Sequence, residues 1–220
     1  MLIIARHGRT EANAAGRLQG RLDLPLDDVG RAQAAAMAAT LATTSGGVGR
    51  IVTSPLVRTR QTAEAIAEAT GASVEVDERW IELDYGGYDG LSLGEVPASV
   101  WSAWRNDPSF APPGGESLLE VGARVCAAAE ELATDLLAQS ASASASGRDR
   151  GDAPVDPNVV VVTHVSPLKA AVTWTLGVDP VHTWRLFVAT ASITRIGVTA
   201  GGPVLHGFNE IAHLAELTGR

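Results

Sequence analysis

Cysteine is almost missing from this 220-residue chain; Cys126 stands alone. A single thiol excludes an internal disulfide and any zinc site built on paired cysteines. The opening apolar run, Leu2-Ile3-Ile4-Ala5, lasts four residues before Arg6 interrupts it. That is too short for the core of a signal peptide or for a membrane span, so a cytoplasmic protein with no membrane partner is expected. Positive charge is in deficit too. Seventeen Lys and Arg against 25 Asp and Glu leave a net charge of −8, which disfavours nonspecific binding to nucleic acid. An anionic ligand must then be held by a local cluster of cations.

What is present is enough apolar material for one core. At 45% hydrophobic over 220 residues, a single domain spanning 1–220 is expected. Strand-like runs fall at Leu2–Ala5, Arg50–Thr53, Ser73–Val76, Val159–Thr163, Ser192–Val198 and Val204–Phe208. Alanine-rich helical stretches lie at Asp27–Thr43, Pro55–Ala69, Leu93–Arg105, Ser117–Gln139 and Pro167–Leu176. This alternation predicts an α/β fold with a mostly parallel sheet covered by helices on both faces. Gly201-Gly202 between the last two runs predicts an antiparallel edge hairpin. Residues of about 140–158, with Ser-Ala repeats and then Gly, Arg, Asp and Pro, predict a flexible low-complexity loop.

The strand ends hold the chemistry. Leu2–Ala5 runs into Arg6-His7-Gly8-Arg9-Thr10, and Val159–Thr163 runs into His164. Ligands of open α/β sheets bind just past the carboxyl ends of strands. Ser54-Pro55 and Ser166-Pro167 each read as a helix start, with serine as N-cap, and Arg58 falls in the first turn of the earlier helix. Arg6, His7, Arg58 and His164 at neighbouring strand ends suit a phosphoryl group, whose oxygens accept charge-assisted bonds. Ser117 after Pro113-Gly114-Gly115-Glu116 reads as an N-cap. His182, His206 and His213 read as structural, His213 as a tie for the C-terminal segment.

Taken in order, the motifs resemble those of the histidine phosphatase superfamily, the group that includes cofactor-dependent phosphoglycerate mutases and small-molecule phosphatases. The similarity runs through Arg6-His7-Gly8-Arg9-Thr10, Asn13, Gln19-Gly20, Asp23-Leu24-Pro25-Leu26, and Ser54-Pro55-Leu56-Val57-Arg58-Thr59-Arg60-Gln61-Thr62. It continues through Glu82-Leu83-Asp84-Tyr85-Gly86-Gly87, Pro113-Gly114-Gly115-Glu116-Ser117, Thr163-His164 and Asn209. The resemblance implies a three-layer, phosphoglycerate mutase-like sandwich and a phosphohistidine formed on His7. It implies that Arg6, Arg58 and His164 hold the transferring phosphoryl group and that Glu82 is the general acid and base. Asn13, Gln19, Gly20 and Tyr85 match positions that touch phosphate or substrate. Neither metal nor other cofactor is implied; the partner is a small phosphate monoester, and the resemblance admits a homodimer.

Hydrolysis and mutase chemistry both fit such a site. The segment Gly90–Pro112 is short and holds Arg105 as its only cation, where a mutase of this family carries a longer basic insertion. A phosphatase is therefore expected, with the mutase as alternative and a catalytically weak interaction module as a third reading. The chain departs from the pattern twice. Val165 follows the second histidine in place of the usual Gly, and Arg9 follows Gly8, where it is expected to add a cation at the pocket mouth.

Overall fold

The computed structural model of the chain describes residues 1–145 and 158–218. A six-stranded sheet in the order β3-β2-β4-β1-β5-β6 forms its centre. The strands β1 (Leu2–Arg6), β2 (Val48–Thr53), β3 (Ser73–Val76) and β4 (Asn158–Thr163) are mutually parallel. The hairpin β5 (Ile193–Thr199) and β6 (Gly202–Glu210) adds antiparallel to β1, as Gly201-Gly202 predicts.

Helices cover both faces, and β1 shows why. Leu2 and Ile4 join a cluster with Val125 and Leu132 of α5 (Leu118–Ala145) and Leu168 of α6 (Val165–Leu176). Ile3 and Ala5 point the other way, toward Met37 and Leu41 of α2 (Asp28–Ala42) and Ile66 of α3 (Val57–Thr70). Alternate side chains of a strand leave opposite faces, so a strand buried on both sides reads as an unbroken apolar run. Truncating Ile4, fully buried, to alanine would cost about 2–5 kcal/mol.

Several expected boundaries move. Helix α5 continues to Ala145 rather than stopping at Gln139, because the alanines of the Ser-Ala repeats are the strongest helix formers. The loop expectation therefore fails for residues 140–145, and Asn158 opens β4; residues 146–157 lie outside the described part. The helix expected from Leu93 starts only at Ala98, as α4 (Ala98–Asn106). Pro97 pushes the residue before it out of the helical region. A short helix, α1 (Glu11–Ala14), follows the first motif, and α7 (Ala215–Thr218) ends the described chain.

A third cluster stands apart from the sheet. Trp104 is fully buried there, with Tyr85, Tyr88, Trp101, Phe110 and Trp184 packed around it. Tyr85 meets Trp104 edge-on at 5.6 Å and Phe110 does so at 5.9 Å, the geometry aromatic quadrupoles prefer. Most of a sparse aromatic supply is thus spent on one wall.

Candidate active site

Strand register brings the two histidines together. Arg6 pairs with Thr163 across β1 and β4, so the residues that follow, His7 and His164, emerge side by side. Their ring centroids are 5.2 Å apart. The ladder extends one step further, with His7 N–H donating to the Thr163 carbonyl at 3.0 Å. Gly8 then lets the chain turn under the start of α2. A Cβ on Gly8 would overlap the carbonyl oxygen of Gly30, and one on Gly30 would overlap that of Arg9. Only glycines allow this approach.

His7 is buried and its tautomer follows from its partners. Nδ1 donates to the Gly8 carbonyl at 2.7 Å, leaving Nε2 as the acceptor of a 3.3 Å bond from Arg58 Nε. Burial, then the charges of Arg58 and Arg6, hold the imidazole pKa well below its ordinary value. A neutral ring with Nε2 unprotonated is the nucleophilic form, and the long 3.3 Å bond from Arg58 must yield when phosphorus approaches. His164 behaves alike: burial and Arg58 lower its pKa strongly. Its Nδ1 accepts from Arg58 Nε at 3.2 Å, and its Nε2 donates to Ser54 Oγ at 2.7 Å.

Arg58 is fixed from both sides. Nη1 donates to the Leu22 carbonyl and Nη2 to that of Gly20, both at 2.7 Å. Arg6 donates Nη1 to the Val188 carbonyl at 2.7 Å. Desolvation pulls both guanidiniums down to about 10, with Glu82 pulling the other way, so both stay charged at neutral pH. Arg6 Nε and Gln19 Nε2 are buried donors with no partner among the described residues. A buried donor without an acceptor is costly. Both side chains line one cavity of about 360 Å³ together with His7, Asn13, Gly20, Arg58, Glu82 and Tyr85. Donors left without acceptors beside a cavity are the setting in which an anion would be welcome.

Glu82 arrives by a separate route. Trp80, fully buried, anchors the segment after β3, and Thr163 Oγ1 donates to its carbonyl at 2.6 Å. Arg124 of α5 pairs with Glu116 and donates to the Arg79 carbonyl at 2.6 Å. The Glu82 carboxylate then accepts three backbone N–H groups. Oε1 takes Leu83 at 2.7 Å and Ser166 at 3.1 Å, and Oε2 takes Val165 at 3.1 Å. A carboxylate has about four acceptor positions, so one on Oε2 stays free. Two of the donors are the first residues of α6, whose N-terminal dipole end favours an anion.

This explains why neither expected serine cap forms. His164 is the N-cap residue of α6 and Leu56 that of α3, without side-chain caps. Both helices are capped from outside: Glu82 supplies acceptors to α6, and Asp23 Oδ1 accepts from Val57 N–H, the first of α3, at 2.6 Å. Ser54 Oγ takes His164 and a long 3.4 Å bond from Leu56 N–H. Ser117 does cap α5: its N–H and hydroxyl donate to Glu120 at 2.8 and 2.7 Å, and Glu120 N–H returns a bond to Ser117 Oγ. Thr10 Oγ1 donates to Gln19 Oε1 at 2.7 Å, and Asn13 Oδ1 accepts from Thr10 N–H at 3.1 Å.

The predicted residues are thus brought together, with one in a different layer. His164 is fully buried and is absent from the cavity wall; it meets the site through Arg58 and the edge of His7. Arg9 does not add a cation at the mouth. Its Nε pairs with Asp27 at 2.8 Å, the residue that caps α2. Tyr85 is kept a neutral phenol, since burial and then Glu82 raise its pKa. His213 does tie down the C-terminal segment, donating Nε2 to the Ala191 carbonyl at 2.9 Å, and Ala191 N–H donates to His7 O at 3.0 Å. Arg17, Lys169 and Phe187 also line the cavity. No sequence motif singles them out, because they come from three unconnected segments.

Residues 2–211 match the model of the histidine phosphatase superfamily (branch 1). The chain is 38% identical over 186 residues to glucosyl-3-phosphoglycerate phosphatase of Mycolicibacterium vanbaalenii, covering 83% of this chain and 76% of the relative. It is 33% identical over 219 residues to phosphoserine phosphatase 1 of Hydrogenobacter thermophilus, covering 98% and 94%. Among solved structures, a mycobacterial glucosyl-3-phosphoglycerate phosphatase in complex with VO3 superposes with a TM-score of 0.80 at 32% identity, covering 96% of this chain and 99% of that one.

Proposed function

The chain belongs to the histidine phosphatase superfamily, and from that premise we propose that it hydrolyses small-molecule phosphate monoesters through a phosphohistidine on His7, with Glu82 carrying the proton. The observation that supports this most is the state of His7: a neutral ring with Nε2 unprotonated, in the wall of a cavity that it shares with two fixed guanidiniums. Nε2 attacks phosphorus in line and the P–O ester bond breaks. Glu82, in its acid form, gives the departing oxygen its proton from Oε2. The ring cation that forms is stabilised by its Nδ1–H bond to the Gly8 carbonyl. Water then loses a proton to the Glu82 carboxylate and attacks phosphorus. The N–P bond breaks, and the lone pair returns to Nε2.

Arg6, Arg58 and Gln19 are the donors for the non-bridging oxygens, preorganised before charge develops. His164 acts one step back, orienting Arg58. Asn13, Gly20 and Tyr85 complete the wall. The substrates named for the relatives, a glucosyl-phosphoglycerate and phosphoserine, make a small phosphorylated organic compound the substrate class. Hydrolysis rather than isomerisation follows because the segment above the site offers no cation cluster to grip a second phosphate: Arg105 lies over the Trp101 ring at 6.0 Å instead of facing the cavity.

The test is mass spectrometry of protein quenched without acid during turnover of p-nitrophenyl phosphate. A phosphate adduct mapping to His7, absent in His7→Ala, is expected. Wild-type protein that releases phosphate with no adduct on His7 would sink the mechanism. Fast interconversion of 3- and 2-phosphoglycerate with little phosphate release would reverse the choice between phosphatase and mutase.

A further inference from the structure

Arginine carries nearly all of the positive charge in this chain; Lys169 is its only lysine. It lies on α6 four residues beyond Val165, on the same helix face and about 6 Å further along the axis. Val165 is the residue whose N–H holds Glu82 Oε2. The half-buried Lys169 side chain lines two cavities at once. One is the catalytic cavity. The other, about 110 Å³, adjoins it and is walled mainly by Leu83, Trp101, Leu118 and Trp184. Tyr85 and Val165 are the other residues shared by the two.

The ammonium stands 5.8 Å from the centroid of the Trp184 ring. Among the described residues no hydrogen bond or ion pair engages it. Burial pulls its pKa below the ordinary lysine value, while Glu82 pulls it up. A cation in an apolar, aromatic setting is only partly compensated by a ring face. Glu82 acts on it only from a distance, with no ion pair between them, so a carboxylate on a bound ligand would give the ammonium its first direct counter-charge.

We propose that Lys169 is the specificity-determining cation of a leaving-group subsite, and that it selects phosphate monoesters whose alcohol carries a carboxylate near the ester oxygen. These are phosphorylated hydroxy acids. The inference rests on the phosphatase reading, since it takes the leaving oxygen to receive its proton from Glu82. That oxygen must come to Oε2. With bonds of about 1.5 Å, a carboxylate one or two carbons away lies only a few ångströms further on, within reach of a side chain one helical turn along α6. Any apolar part of the same alcohol would lie against Leu83, Trp101 and Trp184. A neutral polyol would leave the ammonium without a direct ion-pair partner. Lysine suits this task because it places a compact positive charge on a flexible stem; the charge, which arginine shares, is what the carboxylate needs.

The experiment compares 3-phosphoglycerate with glycerol 3-phosphate, which differ by the carboxylate, in wild type, Lys169→Met and Lys169→Arg. Wild type is expected to prefer the acid in kcat/KM. Lys169→Met is expected to reduce that preference by about tenfold or more, the scale of a hydrogen bond to a charged group, chiefly through KM, and Lys169→Arg to keep most of it. An equal loss for both substrates in Lys169→Met, or no loss, would overturn the proposal. A binding measurement separates it from the phosphatase reading. In a His7→Ala background, calorimetry should show the same preference and the same collapse on adding Lys169→Met, independent of turnover. Hydrolysis of p-nitrophenyl phosphate by wild type tests the phosphatase reading alone. Should Lys169→Met fail to fold, the single lysine of the wild type decides the matter. Its acetylation, read by mass spectrometry, should be slowed by 3-phosphoglycerate and much less by glycerol 3-phosphate; equal protection would refute the assignment.

Discussion

Replacing Glu82 with glutamine tests structure and mechanism at once. The carboxylate accepts from Leu83 and Ser166 on Oε1 and from Val165 on Oε2. An amide has one oxygen and one NH2. Whichever way it is turned, at least one backbone N–H of this buried site faces another donor. Leaving one such group unsatisfied costs about 1–3 kcal/mol, and a chain of this size loses roughly 2–4 °C of Tm per kcal/mol. Chemistry suffers separately, because glutamine neither gives nor takes the proton; a positioned acid or base supplies about 10²–10⁴ in rate. The two half-reactions should respond differently. p-Nitrophenolate leaves without a proton, so phosphorylation of His7 should survive, whereas cleavage of the phosphohistidine lacks its base. Stopped-flow absorbance should then show a burst approaching about one equivalent of p-nitrophenolate per site, followed by a slow phase. With an alkyl phosphate, no burst is expected. Steady-state turnover within twofold of wild type on both esters would refute the role of Glu82. An unchanged Tm would refute the hydrogen-bond argument.

His7→Ala should abolish turnover and the phosphate adduct, checked by phosphate release and intact-mass measurement. Stability should fall with acid: His7 and His164 are held neutral in the fold, their pKa values well below that of the unfolded chain. Their contribution is complete above about pH 6.5 and is lost as pH drops below it, by up to about 1.4 kcal/mol per pH unit for each ring. Urea unfolding of wild type and His7→Asn between pH 7 and 5 should therefore converge as pH falls. Gly30→Ala should cost at least about 1–3 kcal/mol by overpacking and lower turnover too, because its Cβ would press on the backbone of Arg9, two residues from His7. Calorimetric melting and a kcat measurement check both parts.

Much of this site is legible in the chain because its residues lie just past recognisable strands. Leu2–Ala5 is apolar at every position, which marks a strand buried on both faces, and Arg6 and His7 fall where such a strand must end. The same logic places His164. What stays hidden depends on contacts made at long range. The Val165 and Ser166 N–H groups are held by a carboxylate 83 and 84 residues earlier, so the local Ser-Pro signal points to the wrong cap. Arg9 reads as a free cation until Asp27 is brought beside it by the packing of Gly8 on Gly30. Lys169 carries no motif at all; its meaning comes from Trp101 and Trp184, which only the folded chain sets around it. The overrun of α5 is a different kind of miss, in which intrinsic helix propensity outweighed a composition that reads as a linker.

The aromatic cluster around Trp104 has an engineering consequence. Its members come from residues 85–110 and from the turn that carries Trp184, whereas the donors proposed for the phosphoryl group come from strand ends and helix starts. The two sets meet along a seam at Tyr85, Val165 and Lys169. A designer could therefore exchange residues at Trp101, Leu118 and Trp184 to retarget the enzyme toward bulkier or more polar alcohols. The strand-end residues Arg6, His7 and Arg58 would keep their own supports in such a library, with Tyr85 and Lys169 as the seam residues to hold fixed.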